Sequence, residues 1–256
     1  MKVATNKDLT KLGSKTAKNG FKNENFVIAS FNNWQTNSLA KMWLEAMHYK
    51  LEEIEFVKAQ KIDGSFKADV QVEIRVIIKL KSLTDIQNLQ VKLVSNKKGF
   101  NQIDKRWLEK YKELWNIPDN VLKLLKHFTG ELPPYVKNSK DKRRMVAGEF
   151  LESDQQILLD FLNKNKTLII TDILKGRGQL AAEWMLVILA IKNQELQWAL
   201  KPINFILNHY GNGDVRISSR GSFKIGNILM QRKGGDGGRE TANMLQFKID
   251  PCEIIS

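Results

Sequence analysis

The sequence predicts a mixed α/β (α+β) fold, with a central sheet flanked by helices and a C-terminal part rich in β-structure. Three observations lead there. Two helical patterns precede a pair of strand patterns, the order expected when helices cover one side of a sheet. Residues 69–76 and 86–95 alternate apolar and polar side chains with the period of a half-buried strand. Near the C-terminus, DVRISS, SFKIGNILMQRK and NMLQFKID read as strands separated by glycine-containing turns.

Taken in order, Ser14 is placed to cap a helix through KTAKNGFKNENFVIASFNNW, with Phe21, Phe26, Ile28, Ala29 and Trp34 as its apolar contacts. SLAKMWLEAMHYKL fits a second helix, with Leu39, Met42, Trp43 and Met47 on one face. In FKADVQVEIRVIIKLK, Val70, Val72, Ile74 and Val76 alternate with Asp69, Gln71, Glu73 and Arg75. IQNLQVKLVS places Leu89, Val91 and Leu93 on one face of a strand and Gln90 and Lys92 on the other. The glycine-containing loop SNKKGFNQ follows, and DKRWLEKYKELW then has a helical pattern with Ile103, Trp107, Leu108, Tyr111, Leu114 and Trp115 as its apolar surface.

Pro133-Pro134 followed by KNSKDKRR marks a break, either a linker or a surface loop able to touch phosphates. Helices are expected at ESDQQILLDFLNKN and KTLIITDILKG, the second stopping near Gly176 or Gly178. AAEWMLVILAI has the character of a buried strand, and KPINFILNHYG of a short helix with Pro202 in its first turn. The chain shows no internal repeat and no low-complexity segment.

Composition narrows the class. Hydrophobic content of 42% and charged content of 27% are ordinary for a folded protein, and 256 residues suffice for one large domain or two small ones. The net charge of +13, from 41 basic and 28 acidic residues, is not ordinary and points to a polyanionic partner. Residues 92–112 alone hold seven basic and two acidic side chains. A single cysteine, Cys252, excludes an internal disulfide and a thiolate zinc site. His48, His127 and His209 lack the spacing of a helical metal pair. The N-terminus carries no apolar core of a secretory signal, and the longest wholly apolar run, from Trp184 to Ile191, is too short to span a membrane. A soluble protein of a reducing compartment, the cytoplasm, is expected.

Two constellations carry chemistry. Asp69 sits at the mouth of the first strand, and Gln90-Val91-Lys92 lies on the second. An acid facing an amide and an ammonium across adjacent strands suits a divalent metal held beside a positive group at a scissile phosphate. Glu24 either points toward this site or pairs on the surface with Lys22 or Lys18. The second constellation is the loop from Gln231 to Glu240, which contains Arg232, Lys233, Asp236 and Arg239 among four glycines. It is no Walker A loop, since GxxxxGK[ST] is absent. It is either a flexible basic hairpin or a reader whose Lys, Arg and Gln donors address guanine O6 and N7. Asp236 or Glu240 offers an acceptor for cytosine N4, and Asn243 and Gln246 lie close behind.

The spacing of Ala68-Asp69 and Gln90-Val91-Lys92 resembles the PD-(D/E)xK nuclease motif, with Gln where an acid is usual. More widely, QVKLVSNKKGFNQIDKRWL, HFTGELPP with KDKRRM after it, KGRGQLAAEWMLV and QRKGGDGGRETANMLQFKIDP resemble the monomeric type II restriction endonucleases of the HinP type, which cut GCGC, and more distantly MspI and HhaI. The resemblance covers nearly the whole chain. It departs at Ala68, where the HinP-type enzyme has Ser.

It implies a PD-(D/E)xK core with a central mixed sheet, a catalytic nuclease part over 1–132, and a DNA-recognition part over 133–256. Asp69, Gln90 and Lys92 are then the catalytic residues. Mg²⁺ is held by Asp69, the Gln90 side chain and the Val91 carbonyl, and Lys92 positions the water. Lys97 and Lys98 are expected on the DNA backbone. Gln102 and Lys105 match residues near the minor groove, and Gln231, Arg232, Lys233, Arg239 and Asn243 fall in the recognition region. Double-stranded DNA is the implied substrate and a cognate DNA methyltransferase the functional partner. The alternative is a non-catalytic DNA-binding protein with a degenerate nuclease fold. An RNA-binding module would be expected to carry a stacked aromatic signature, which is absent.

Overall fold

A computed structural model describes residues 24–62, 74–233 and 239–255. They form two compact units, each assembled from separated stretches of chain. The described part of one comprises 24–62, 74–100, 174–206 and 250–255; the other comprises 101–173, 207–233 and 239–249.

The first unit is built on a five-stranded sheet of β1 (Ile54–Lys61), β2 (Ile74–Leu80), β3 (Thr84–Val94), β5 (Trp184–Leu189) and β6 (Gln197–Pro202), in the order β1-β2-β3-β5-β6. β3 and β5 run parallel and the other pairs are antiparallel, so the sheet is mixed. One face is covered by α1, described over 24–32, and α2 (Ser38–Ala46). Asn37 caps α2 by accepting from the Ala40 amide, which satisfies one of its orphan donors. Val27, Phe31, Trp43 and Leu44 meet Leu89, Val91, Leu186 and Ile188 in one core. Phe31 and Trp43 lie 5.3 Å apart, centroid to centroid, both fully buried. Truncating a ring in such a core costs roughly 3–5 kcal/mol.

Several sequence expectations are refined here. The expected face of α2 included Met42, which is exposed. The buried stripe is Ala40, Trp43, Leu44 and Met47, spaced i, i+3, i+4, i+7. The helix also ends at Ala46, ahead of His48, which takes a left-handed φ of 68°. Pro202 is the last residue of β6 rather than part of α7 (Ile203–Gly211). An edge strand tolerates a residue without an N–H. β1 escaped the sequence reading because a bulge between Ile54 and Phe56 breaks its alternation.

The second unit carries an antiparallel sheet ordered β4-β10-β9-β8-β7. Its strands are β4 (Asn101–Arg106), β7 (Val215–Ile217), β8 (Phe223–Ile225), β9 (Ile228–Arg232) and β10 (Leu245–Ile249). The expected C-terminal strands are β7 to β10. Its helices are α3 (Leu108–Trp115), α4 (Asp119–Thr129), α5 (Glu152–Lys164) and α6 (Lys166–Leu174). Phe128 of α4 packs edge-on against Phe223, and Tyr111 and Trp115 pack against Phe247.

Residues 104–106, expected to start a helix, belong instead to β4, and the helix begins only at Leu108. The charged run DKR reads as solvated in the sequence, yet Asp104 and Arg106 are buried. Arg106 Nη1 donates to Asp172 Oδ2 at 2.6 Å, Trp115 Nε1 donates to the same oxygen at 3.0 Å, and the Tyr111 hydroxyl donates to Asp104 at 2.6 Å. Burial, reinforced by the charge of Asp172, pushes the Asp104 carboxyl up to about 6 against the opposing pull of Arg106 and Tyr111. A buried ion network of this kind looks polar to any periodicity test.

Candidate active site and nucleic-acid interface

β3 presents Asn88, Gln90 and Lys92 on the face opposite the helix-covered one, as the alternation predicts. Gln90 is 1% exposed and its Oε1 accepts no hydrogen bond from the described residues. Its neighbour in register on β5 is Met185, and that of Lys92 is Val187. An unpaired buried acceptor costs about 1–3 kcal/mol, so the environment of Gln90 calls for a partner that the described residues do not provide.

Asn88, two positions earlier on the same face, behaves differently. Its Nδ2 donates to the Gln179 and Ala181 carbonyls, its Oδ1 accepts from Arg75 Nε at 3.1 Å, and its backbone amide donates to Glu183 at 2.8 Å. The open acceptor is therefore a property of Gln90 and not of the face. Val91 turns to the helix-covered side and is buried, which leaves its backbone carbonyl as the only oxygen it offers. Lys92 is half-buried.

Asp69 lies outside the described residues. Glu24, with two roles open in the sequence, pairs with Lys61 Nζ at 2.5 Å, a partner not anticipated. Among the described residues, no group of three or more His, Cys, Asp or Glu side chains could hold a metal.

The loop after β3 is pinned at both ends: the Gly99 amide donates to Asp250 Oδ2 at 3.0 Å, and Cys252 Sγ contacts the Asn96 carbonyl at 3.3 Å. Lys97 and Lys98 between these anchors are exposed.

In the second unit, strand register gathers residues that the sequence treated separately. Lys105 of β4 faces Gln246 of β10, which faces Gln231 of β9. Gln102 faces Lys248. Two sequence segments more than a hundred residues apart thus share one row of a sheet. The Lys233 amide donates to the Met244 carbonyl at 2.8 Å and extends the β9–β10 pairing. Arg239 and Glu240 are exposed and Asn243 is half-buried, around the short helical turn Glu240–Asn243. Asp236 and the glycines around it lie outside the described residues.

Beside these strands opens a cleft of about 450 Å³. Arg144, Arg220, Arg232, Lys233 and Lys248 line it, with no carboxylate among the described lining residues. Gln231 and Gln246 add amides. Sequence reasoning named Gln231, Arg232, Lys233 and Gln246 but not Arg220 or Lys248, and it treated the basic run around Arg144 only as a linker or phosphate-touching loop. The overlooked signal for Lys248 was a lone cation within the otherwise buried strand LQFKI.

That basic run is a built loop. One Glu149 carboxylate accepts from the Lys140 amide at 2.7 Å, the Val146 amide at 2.9 Å and the Ser139 hydroxyl at 3.0 Å. Burial acts to raise the Glu149 carboxyl, but these donors outweigh it and hold it below its usual range. Two glycines let other chain segments close against the loop. Gly130, at φ 92°, ends α4 where an added Cβ would stand 3.0 Å from the Arg143 carbonyl oxygen. Gly221, at φ 73°, would meet Val146 at 2.7 Å, and its carbonyl accepts from the Ala147 amide.

Within the loop, Arg143 Nε donates to Asp141 Oδ1 at 3.2 Å, while Arg144 Nε and Arg232 Nη2 approach Asp141 Oδ2 at 3.4 and 3.8 Å. Burial, and then repulsion by Arg144, pushes the Arg232 guanidinium down to about 10, so it remains a cation at neutral pH. Burial likewise lowers Lys248. A half-buried concentration of like charge with one counter-ion is an anion-seeking surface.

The profile of the R.HinP1I restriction endonuclease family matches residues 47–255. A comparison with curated proteins gives no match. Among solved structures, the crystal structure of restriction endonuclease MspI in complex with its cognate DNA superposes with a TM-score of 0.61 over 88% of this chain and 87% of that one, at 16% identity. At that identity the likeness speaks for the fold, and it agrees with the mixed sheet and flanking helices described above. The family match spans most of the chain and includes β3, the cleft and the basic loop. The chain belongs to the R.HinP1I restriction endonuclease family and is a site-specific deoxyribonuclease.

Proposed function

We propose that the protein is a type II restriction endonuclease that hydrolyses both strands of double-stranded DNA at a short GC-rich palindrome, GCGC, with Mg²⁺ as cofactor and one strand cut at a time. The single observation that carries the catalytic assignment is the buried Gln90 Oε1 without a partner among the described residues, two residues from Lys92 on one strand face. A hard cation prefers oxygen ligands, and this orphaned amide oxygen fits that need. Asp69, the Gln90 side chain and the Val91 carbonyl would hold the ion. When bound, Mg²⁺ supplies a Lewis acid at a phosphoryl oxygen and lowers the pKa of water. Lys92 orients the attacking water and offsets negative charge developing on the phosphate.

Lys97 and Lys98 grip the backbone. Gln102 and Lys105 approach the minor groove. Gln231, Arg232, Lys233, Arg239 and Asn243 belong to the base-reading part, with the nuclease part assigned to 1–132 and the recognition part to 133–256. The charge of +13 and the five cationic side chains lining the cleft support DNA as substrate. In this reading the enzyme acts in the cytoplasm as a monomer or weak dimer. A cognate methyltransferase protects the host's own copies of the site, since an unprotected tetranucleotide recurs throughout a genome. No helix of the described residues is long and apolar enough to cross a membrane.

The competing reading is a degenerate nuclease that binds DNA without cutting it, and the neutral Gln90 is the observation that favours it. Incubating the purified protein with plasmid, with and without Mg²⁺, and mapping the fragment ends decides between them. Metal-dependent fragments ending within GCGC support the enzyme. Site-specific binding without cleavage supports the degenerate fold.

A further inference from the structure

We propose that Arg144 joins Arg232 as a paired-guanidinium reader of guanine in the DNA site, and that Asp141 is the positioning residue that preassembles the pair. The inference rests on the DNA-cleaving reading above and deepens it.

Three guanidinium groups, those of Arg143, Arg144 and Arg232, converge on the single carboxylate of Asp141. Three positive charges around one negative charge leave a local excess that a partner must neutralise. Arg232 is the decisive member. Its side chain is 6% exposed, its Nε is buried without a hydrogen-bond partner among the described residues, and its approach to Asp141 at 3.8 Å is longer than a hydrogen bond. Arg144 Nε is also buried, and its 3.4 Å contact with Asp141 Oδ2 is an ion pair short of hydrogen-bond geometry. Burying guanidinium donors without acceptors is costly. Both residues line the same cleft, where the described lining residues supply cations and amides but no carboxylate.

The rigidity of the pair selects the ligand. An exposed arginine suits a phosphate, and Arg143, with 71% of its side chain exposed, is such a residue. A guanidinium held by packing presents its planar fork in one orientation, which matches the paired O6 and N7 acceptors of guanine. The support around the pair serves that rigidity. Glu149 fixes the loop from Ser139 to Val146, Gly130 admits the Arg143 backbone, and Asp141 faces both guanidinium groups. Asp141 is itself held ionised: burial would raise its carboxyl, but the hydrogen bonds from Arg143 and the charge of Arg232 bring it below its usual range.

The test uses the full-length protein in calcium buffer and measures equilibrium binding to three duplexes. One carries GCGC, one carries GCGC with 7-deazaguanine in place of guanine, which removes N7 and keeps the base pairs, and one is scrambled. Arg144→Ala and Arg144→Lys are each expected to weaken binding to the GCGC duplex by roughly ten- to a hundredfold, with little further loss on the 7-deazaguanine duplex. Arg143→Ala should weaken all three equally. Asp141→Asn should shrink the ratio of GCGC to 7-deazaguanine affinity while leaving scrambled DNA bound as before, a change that a purely structural role would not produce. Thermal unfolding checks each variant for folding, and the Lys variant keeps the charge should the Ala variant fold poorly. Equal losses for Arg144→Lys on the GCGC and 7-deazaguanine duplexes overturn the guanine assignment and make Arg144 a backbone contact. A wild type with no preference for GCGC over scrambled DNA overturns the underlying site reading as well, and the two failures are thereby told apart.

Discussion

Asn88 and Gln90 project from the same face of β3, two residues apart and both buried, yet the amide of Asn88 is bonded on every side while the Gln90 oxygen accepts nothing from the described residues. The strand therefore invests in a fully satisfied network at one position and leaves an acceptor open at the next. Such an opening beside Lys92 has a direct consequence for mutagenesis. Gln90→Glu should retain cleavage at a mildly altered rate, because it still offers a side-chain oxygen. Gln90→Ala should lose activity severely. Near-normal cleavage rates for the Ala variant would remove Gln90 from the metal set.

Asp69→Ala and Lys92→Ala should abolish cleavage and leave site binding largely intact. One removes a proposed metal ligand and the other the group that orients water, whereas the base and backbone contacts are assigned to other residues. Gel-shift titration beside a cleavage assay checks this. Parallel loss of binding and cleavage would count against both roles.

Lys97 and Lys98 stand exposed on a loop whose backbone is anchored at Asn96 and Gly99. Removing either should lower the salt dependence of DNA binding by about 0.9 units of slope per lost phosphate contact, without changing site preference. Changes at Lys233 or Arg239 should instead reduce discrimination at one base pair by roughly 1–3 kcal/mol. A Lys233 variant that weakens cognate and random DNA equally would move that residue to the backbone class.

The buried network of β4 gives a stability prediction. Asp104 has a carboxyl raised to about 6 in the folded protein, against an ordinary 3.8 when unfolded. Between those values the folded state holds a proton that the unfolded state has released, so this group's contribution is present at low pH and is lost as pH rises through about 6. The change is of order 2–3 kcal/mol, from about 1.4 kcal/mol for each unit of pKa. Asp104→Asn should remove that dependence. Denaturant unfolding at pH 4 and pH 7 should show the difference in stability between wild type and variant shrinking or reversing as pH rises. A difference that stays constant over this range would contradict the assignment.

Much of this was legible in the sequence, and the reasons are particular. The alternation around Leu89, Val91 and Gln90 placed β3 and its two faces correctly, because one face packs under helices and the period of 2 survives. α5 and α6 were read from their periodicity, and the second stop from glycines that do adopt positive φ, Gly176 at 77° and Gly178 at 64°. β4 was missed because its buried charges, Asp104 and Arg106, find their partners on α3 and α6, and pairing between elements leaves no trace in local patterns. The row joining Lys105, Gln246 and Gln231 was invisible for the same reason, since register is a property of paired strands. The basic loop was recognised by its composition alone. Its bracing by Glu149 and its convergence on Asp141 required coordinates.

The account's central claim is a single catalytic centre per chain that cuts a symmetric site one strand at a time. The most direct measurement is a time course on a supercoiled plasmid with one GCGC site, in Mg²⁺, with the products separated as supercoiled, nicked and linear forms. Nicked circles should accumulate first and linear DNA should follow, with ends mapping inside GCGC. Linear product from the first time point, with no nicked intermediate at any enzyme concentration, would contradict sequential cutting, and an unchanged plasmid at all times would contradict the nuclease itself.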